Sequence, residues 1–197
     1  MNPAASVLDA VALAPLLEAG QAAVIPTDTV PGLAARPGDA ALIWTLKRRP
    51  ADKPLILMGA EANDLLACVE DRCHADARAL ASRYWPGALT LVLPAQGPVV
   101  DLLNPGGTSL GVRIPASPLT CDLLRIVGPL ATSSANPAGE PAAGSAQEAA
   151  RLFPTVPQLG PQPWPRLSGL ASTVARWRGP GSWQVLRQGA VMLADTV

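Results

Sequence analysis

The stretch SLGVRIPASPLTCDLLRIVGPLATSS, residues 109–134, decides the fold class. SLGVRIP (109–115) and PLATSS (129–134) read as strands, and the residues near 117–127 between them carry a helical pattern. Strand, helix and strand follow one another in so short a space that a sheet with helices packed on it is implied. Working outward, PLILM (54–58), LTLVLPA (89–95), ASTVAR (171–176) and WQVLRQG (183–189) are further strands. Helical patterns occupy about 61–70, 74–84 and 145–152. Towards the start, AAVIP (22–26) is a short buried strand, followed by a turn-like TDTVPGLAARPG (27–38) and a helix from Asp39, its expected N-cap, to Arg48. Residues 6–19 place Val7, Val11, Leu13, Leu16 and Leu17 near helical spacing and end at Gly20, which predicts a first helix. Pro-bounded strands favour antiparallel edges, so the expected class is α/β (α+β) with a mixed sheet.

Composition narrows the function. At 197 residues the chain suits one domain, 1–197, and with only seven aromatic residues (five Trp, one Tyr, one Phe) its core must be built from Leu, Val, Ile and Ala. Twenty-two prolines, each without an N–H, are expected outside helices and central strands, punctuating many short elements. The stretch PTVPQLGPQPWPRLSG (154–169) has no periodicity and reads as a long loop, a surface connector or a lid. No run of about eighteen apolar residues and no basic, cleavable leader is evident, so a cytoplasmic location without membrane attachment is expected. Cys68, Cys73 and Cys121 lack CxxC spacing, and with the single His74 they make a poor tetrahedral set, so no protein metal ligand is assigned. A formal net charge of zero speaks against a protein that wraps nucleic acid, although KRRPADK (47–53) is locally basic.

Neither GxxxxGK[ST] nor a GxGxxG after a strand is present, so any ATP site is unconventional. Three polar clusters lie at strand or helix ends. Thr27-Asp28-Thr29 could line a pocket or only bond a turn. Lys47-Arg48-Arg49-Pro50-Ala51-Asp52-Lys53 could clamp phosphate or only complement a helix dipole. Thr132-Ser133-Ser134-Ala135-Asn136 could hold phosphate and ribose oxygens or only cap the next turn. Arg113 in an apolar strand and Arg187 in VLRQG each need an acidic partner or an anionic ligand, because an unpaired buried charge is costly.

VIPTDTVPGL, LKRRPADKPLIL, YWPGALTLVLPA, GVRIP, TSSANPAGEP, ASTVA and VLRQG, in that order, resemble the YrdC-like threonylcarbamoyl-AMP synthases over nearly the whole chain. The resemblance implies an open, twisted mixed sheet with flanking helices and a concave substrate face, in the family's short single-domain form. It also implies synthesis of threonylcarbamoyl-AMP and pyrophosphate from L-threonine, bicarbonate and ATP with Mg2+, for modification of tRNA adenosine. Carried over residue by residue, it makes Lys47, Arg49, Ser134 and Asn136 catalytic. Thr29, Arg113, Thr132 and Thr173 fall at threonine-binding positions, and Lys47, Arg49, Asp52, Ser109, Ser134 and Arg187 at ATP-binding positions. A downstream tRNA threonylcarbamoyl transferase would be the partner, with weak tRNA contact. Pro31 replaces the aromatic residue usual there, Asp28 replaces glutamate, and Ser172 lacks its preceding proline. Two other readings stand beside this one, an RNA-binding module of the same fold and a paralogue activating a different carbamate.

Overall fold

Every second residue of a strand points to the same face, and that alternation sorts the apolar residues of this chain into two cores. The structure, a computed structural model, describes residues 5–165 and 167–193. Its elements are β1 (Val7–Leu8), α1 (Ala10–Glu18), β2 (Ala23–Ile25), β3 (Gly32–Ala35), α2 (Ala41–Lys47), β4 (Ile56–Met58), α3 (Ala62–Leu66), α4 (His74–Tyr84), β5 (Leu89–Pro94), α5 (Pro98–Leu103), β6 (Ser109–Arg113), α6 (Pro118–Val127), β7 (Leu130–Ser134), α7 (Ala146–Leu152), β8 (Gln158–Leu159), β9 (Thr173–Gly179) and β10 (Ser182–Arg187). They form one ten-stranded sheet in the order β1-β8-β2-β3-β7-β4-β6-β5-β9-β10. It is mixed as expected: β4 pairs with β6 and β5 with β9 in parallel, while β3–β7, β4–β7, β5–β6 and β9–β10 are antiparallel.

Leu33 and Ala35, Leu57, Leu89, Leu91 and Leu93, Val112, Ala131 and Ala175 point to one face, where they pack with Ile43 of α2, Leu65 of α3, Leu80 of α4, Leu103 of α5 and Ala149 of α7. Their neighbours Ala34, Met58 and Leu130 point to the other face, against Leu13 and Leu17 of α1 and Leu123 and Leu124 of α6. The first face is covered along most of the sheet. The second is covered only where α1 and α6 lie, and the rest of it stays open above β7, β4, β6, β5 and β9. The polar residues of the site occupy that uncovered half.

Several expectations need correction. The predicted helix over 6–19 begins later: Val7–Leu8 pairs with β8, Asp9 caps α1 by accepting from the Ala12 N–H at 2.8 Å, and Pro15 sits inside the helix. Asp39 is not the N-cap of α2. It ends a short 3-10 turn, and Gly20, at φ +80, lies so close that an added Cβ would stand 3.2 Å from its carboxylate. GLAA (32–35) is a strand rather than a turn, and α5 has no counterpart in the expected elements. GLAA is buried on both faces, so it carries no polar alternation to read. The Pro-rich loop is not wholly irregular either, since Gln158–Leu159 inserts between β1 and β2. No helix among the described residues is long and apolar enough to cross a membrane.

Candidate active site

The floor of the site is a row of residues in direct register across the uncovered face: Thr132, Ile56, Gly111, Val92 and Arg176. Glycine at the middle keeps this floor low, because a Cβ on Gly111 would stand 2.9 Å from Ile56 Cγ2 and 3.7 Å from Thr90. Above it lies a cavity of about 600 Å³. Thr29, Pro31, Ser134, Asn136 and Arg49 line one side of it, and Ser172, Arg176, Leu186 and Arg187 the other. Among the described residues the lining carries Arg49, Arg113, Arg176 and Arg187 and no carboxylate.

Arg113 leaves the end of β6 and is 4% exposed. Its Nε donates to the Gly87 carbonyl at 3.0 Å, Nη1 to Thr29 Oγ1 at 3.1 Å and Nη2 to Asp28 Oδ1 at 2.7 Å. Asp28 Oδ1 also accepts the Ala116 N–H at 2.9 Å. Burial pulls the guanidinium below its ordinary pKa, Asp28 opposes that, and the nearby Arg187 adds to it. Thr27 Oγ1 donates to the Val30 carbonyl at 2.7 Å and lies 2.9 Å from Thr29 Oγ1. With Thr27's one proton so placed, Thr29 donates to Thr27 and accepts from Arg113, which orients the turn. A guanidinium has five N–H groups, so two of Arg113's remain for a ligand.

Lys47 ends α2, but its ammonium is not among the groups lining the cavity. At 1% exposure it donates to the Ser134 carbonyl, to the Asn136 carbonyl at 2.7 Å and to Asn136 Oδ1 at 3.2 Å. Ser134 Oγ donates to Asn136 Oδ1 at 2.6 Å, and Asn136 Nδ2 donates to the carbonyls of Pro137 and Glu140. Lys47 thus fastens the Ser134–Asn136 turn to α2. Burial, and secondarily the charge of Arg49, lower its pKa from 10.5 to about 8. Between them, Arg48 takes the left-handed conformation (φ 50, ψ 44) that closes the helix and sends Arg49 towards the cavity. Arg49 has one bond, Nη2 to the Pro54 carbonyl at 3.3 Å, and its buried Nε has no partner among the described residues. Its pKa is lowered by burial, against which the charge of Asp52 acts.

Of the expected residues, the cavity brings together Thr29, Arg49, Ser109, Arg113, Thr132, Ser134, Asn136 and Arg187. Thr132 Oγ1 is buried there without a hydrogen-bond partner among the described residues, as a ligand-contacting hydroxyl would be. Lys47, Asp52 and Thr173 are not on the lining. Asp52 is exposed and acts on the site through Arg49. Thr173 is fully buried, accepting the N–H groups of Gly189 at 3.0 Å and Val191 at 3.2 Å, and so anchors the chain after β10. Strand parity explains this: Ser172, Val174 and Arg176 face the cavity, so Thr173 between them does not. Ser172, Asn104 and Arg176 were not anticipated. Ser172 Oγ is 2.9 Å from Thr90 Oγ1, and its carbonyl accepts Arg187 Nε at 3.1 Å and Nη2 at 2.9 Å. The period-two spacing of Val174 and Arg176 was the available signal. A second cavity, of about 620 Å³, lies between Ser145 and Trp164, and its described lining residues carry no charged side chain.

Residues 15–189 match the model of the Sua5–YciO–YrdC family, described as "Telomere recombination". A threonylcarbamoyl-AMP synthase of Pyrococcus abyssi is 37% identical over 138 residues, which are 68% of this chain and 40% of that protein. One of Idiomarina loihiensis is 38% identical over 133 residues, 65% of this chain and 72% of its own. The structure of P. abyssi Sua5 complexed with L-threonine matches with a TM-score of 0.82 at 28% identity, over 96% of this chain and 58% of that one. The chain therefore spans only part of the Pyrococcus proteins and most of the Idiomarina one.

Proposed function

Because this chain belongs to the Sua5–YciO–YrdC family, we propose that its cavity forms L-threonylcarbamoyladenylate and pyrophosphate from L-threonine, bicarbonate and ATP. One observation carries the reading: a cavity lined by Arg49, Arg113, Arg176 and Arg187, without a carboxylate among the described residues, suits two anionic substrates. Arg113, held against the Thr27–Thr29 turn, offers its two remaining N–H groups to the threonine carboxylate. The threonine amine adds to carbon dioxide derived from bicarbonate, forming the N–C bond of a carbamate and releasing a proton. A carbamate oxygen then attacks the α-phosphorus, the bond to the β-phosphate bridging oxygen breaks, and pyrophosphate leaves with the electron pair. Ordinarily the anions repel. The cavity lowers the barrier by fixing them side by side and neutralising charge that builds on the phosphates, for which Arg49 and Arg187 are placed.

Magnesium belongs to this scheme as part of the substrate. The described residues contain no cluster of three His, Cys, Asp or Glu side chains and the lining has no carboxylate, so the ion would be held by phosphate oxygens. The product is the activated intermediate for N6-threonylcarbamoyladenosine in tRNA, passed to a threonylcarbamoyl transferase. The test is pyrophosphate release from ATP and magnesium with bicarbonate, comparing L-threonine with L-serine, glycine and no amino acid. Release that depends on threonine and bicarbonate is expected; release indifferent to the amino acid, or none at all, overturns the reading.

Lys47 makes this activity pH-dependent. Its ammonium must be protonated to hold the Ser134 and Asn136 carbonyls, and its pKa lies at about 8. A base with a lowered pKa is charged below that value and neutral above it. Initial rates should therefore fall as pH rises through about 8, well below the usual lysine range. A rate profile that stays flat to about pH 9.5 removes this role of Lys47.

A further inference from the structure

Among the described residues, Arg176 is the one charged residue of the cavity that neither the motifs nor the fold accounts for. It lies in β9, in register with Val92 of β5 and Gln184 of β10, and lines the cavity. Its Nε is buried with no hydrogen-bond partner, and it forms no ion pair among the described residues. A buried N–H left so is costly unless a ligand completes it. A purely structural arginine would be expected to satisfy its N–H groups within the protein, as Arg187 does on the Ser172 carbonyl and Arg113 does on Gly87.

Position along the sheet says which ligand. Ser109, Gly111 and Arg113 alternate along β6 on the cavity face. Two residues of strand advance about 7 Å, so Ser109 and Arg113 mark points about 13 Å apart. Arg113 and Thr29 occupy the end assigned to the threonine carboxylate. Arg176 belongs to the Gly111 row, about 7 Å along the strands from the Arg113 row and two strands across the sheet from β6. An anion there is displaced along and across the sheet from the Arg113 end. We propose that Arg176 is a further substrate-contacting residue that binds the β,γ-phosphates of ATP, opposite Arg49, and remains paired with pyrophosphate as it forms. The assignment rests on the synthase reading above for the identity of the polyanion. Charge balance fits it when both substrates are counted: MgATP and the carbamate of threonine each keep about two negative charges, which Arg49, Arg113, Arg187 and Arg176 together match, with no carboxylate among the described lining residues to compete.

The experiment measures binding of inorganic pyrophosphate, ATP and AMP by calorimetry, and KM for ATP and for threonine, in wild type, Arg176→Gln and Arg176→Lys. Loss of one charge-assisted contact should weaken pyrophosphate and raise KM for ATP by roughly 10-fold or more in Arg176→Gln. Arg176→Lys should recover part of that loss. AMP affinity and KM for threonine should stay within about twofold, which a general distortion of β9 would not allow. Pyrophosphate affinity unchanged in Arg176→Gln overturns the proposal, as does an equal rise in both KM values. Failure of the synthase reading looks different. A wild-type protein that binds pyrophosphate through Arg176 but releases none with threonine keeps the phosphate site and loses the reaction, whereas one that binds neither ATP nor pyrophosphate loses both.

Discussion

Arg49→Ala should lose threonine-dependent pyrophosphate release by about a hundredfold or more while its melting temperature stays within about 2 °C of wild type. The asymmetry follows from how little the side chain does for the fold. It makes a single bond to the Pro54 carbonyl at 3.3 Å, and its buried Nε is unsatisfied among the described residues. Removing it forfeits one long hydrogen bond and relieves a desolvated donor, two terms of about 1 kcal/mol and opposite sign. In the proposed reaction the same group would face phosphate oxygens whose charge grows as the bridging bond breaks. Losing one such preorganised donor typically costs about 3–4 kcal/mol, and each 1.4 kcal/mol is about tenfold in rate. Pyrophosphate release and a thermal melt on the same preparation check both halves. Turnover within tenfold of wild type takes Arg49 out of the chemistry, and a large drop in melting temperature makes it a structural residue.

Arg113→Ala should damage both properties. The substitution removes three hydrogen bonds, to Gly87, Thr29 and Asp28, and leaves Asp28, whose side chain is 17% exposed, without its cation. Breaking a buried pair on one side costs about 3–5 kcal/mol; with Asp28 partly exposed and still holding the Ala116 N–H, the lower end, about 3 kcal/mol, applies. In a protein of this size that lowers the melting temperature by roughly 6–12 °C. Threonine binding should fall as well, because the carboxylate loses its counter-charge. The double variant Arg113→Met/Asp28→Asn separates the two effects. With both charges gone, most of the stability should return while KM for threonine stays high. A double variant with wild-type KM for threonine would falsify the assignment of the carboxylate to Arg113.

These predictions also bear on the RNA-binding alternative. The arginines that resist explanation by the fold line a cavity rather than an exposed stripe, which suits small polyanions more than a duplex.

Much of the architecture could be read from the chain. Strands such as LTLVLP and SLGVR, and helices such as those at 74–84 and 118–127, carry their own hydrophobic patterns and turn residues. GLAA could not be read that way, because a strand of small residues covered on both faces has neither period two nor β-branched side chains. Nor could Val7–Leu8, which becomes a strand only because Gln158–Leu159, about 150 residues away, is there to pair with it.

The site divides along the same line. By itself the sequence determined which residue types were available and in what order: hydroxyls after β2, cations at and beyond the end of α2, hydroxyls in β7 with an amide after it, and arginines in the last strands. Those follow from local composition and ordered motifs. Tertiary structure alone decided which of them share a cavity. It turned Lys47 into the Ser134–Asn136 turn, put Thr173 on the face away from the cavity and brought Arg176 onto it. The physical reason is that a strand's side-chain parity and a buried ammonium's choice of acceptors are set by partners distant in sequence, through sheet register and the cost of leaving a buried donor unpaired.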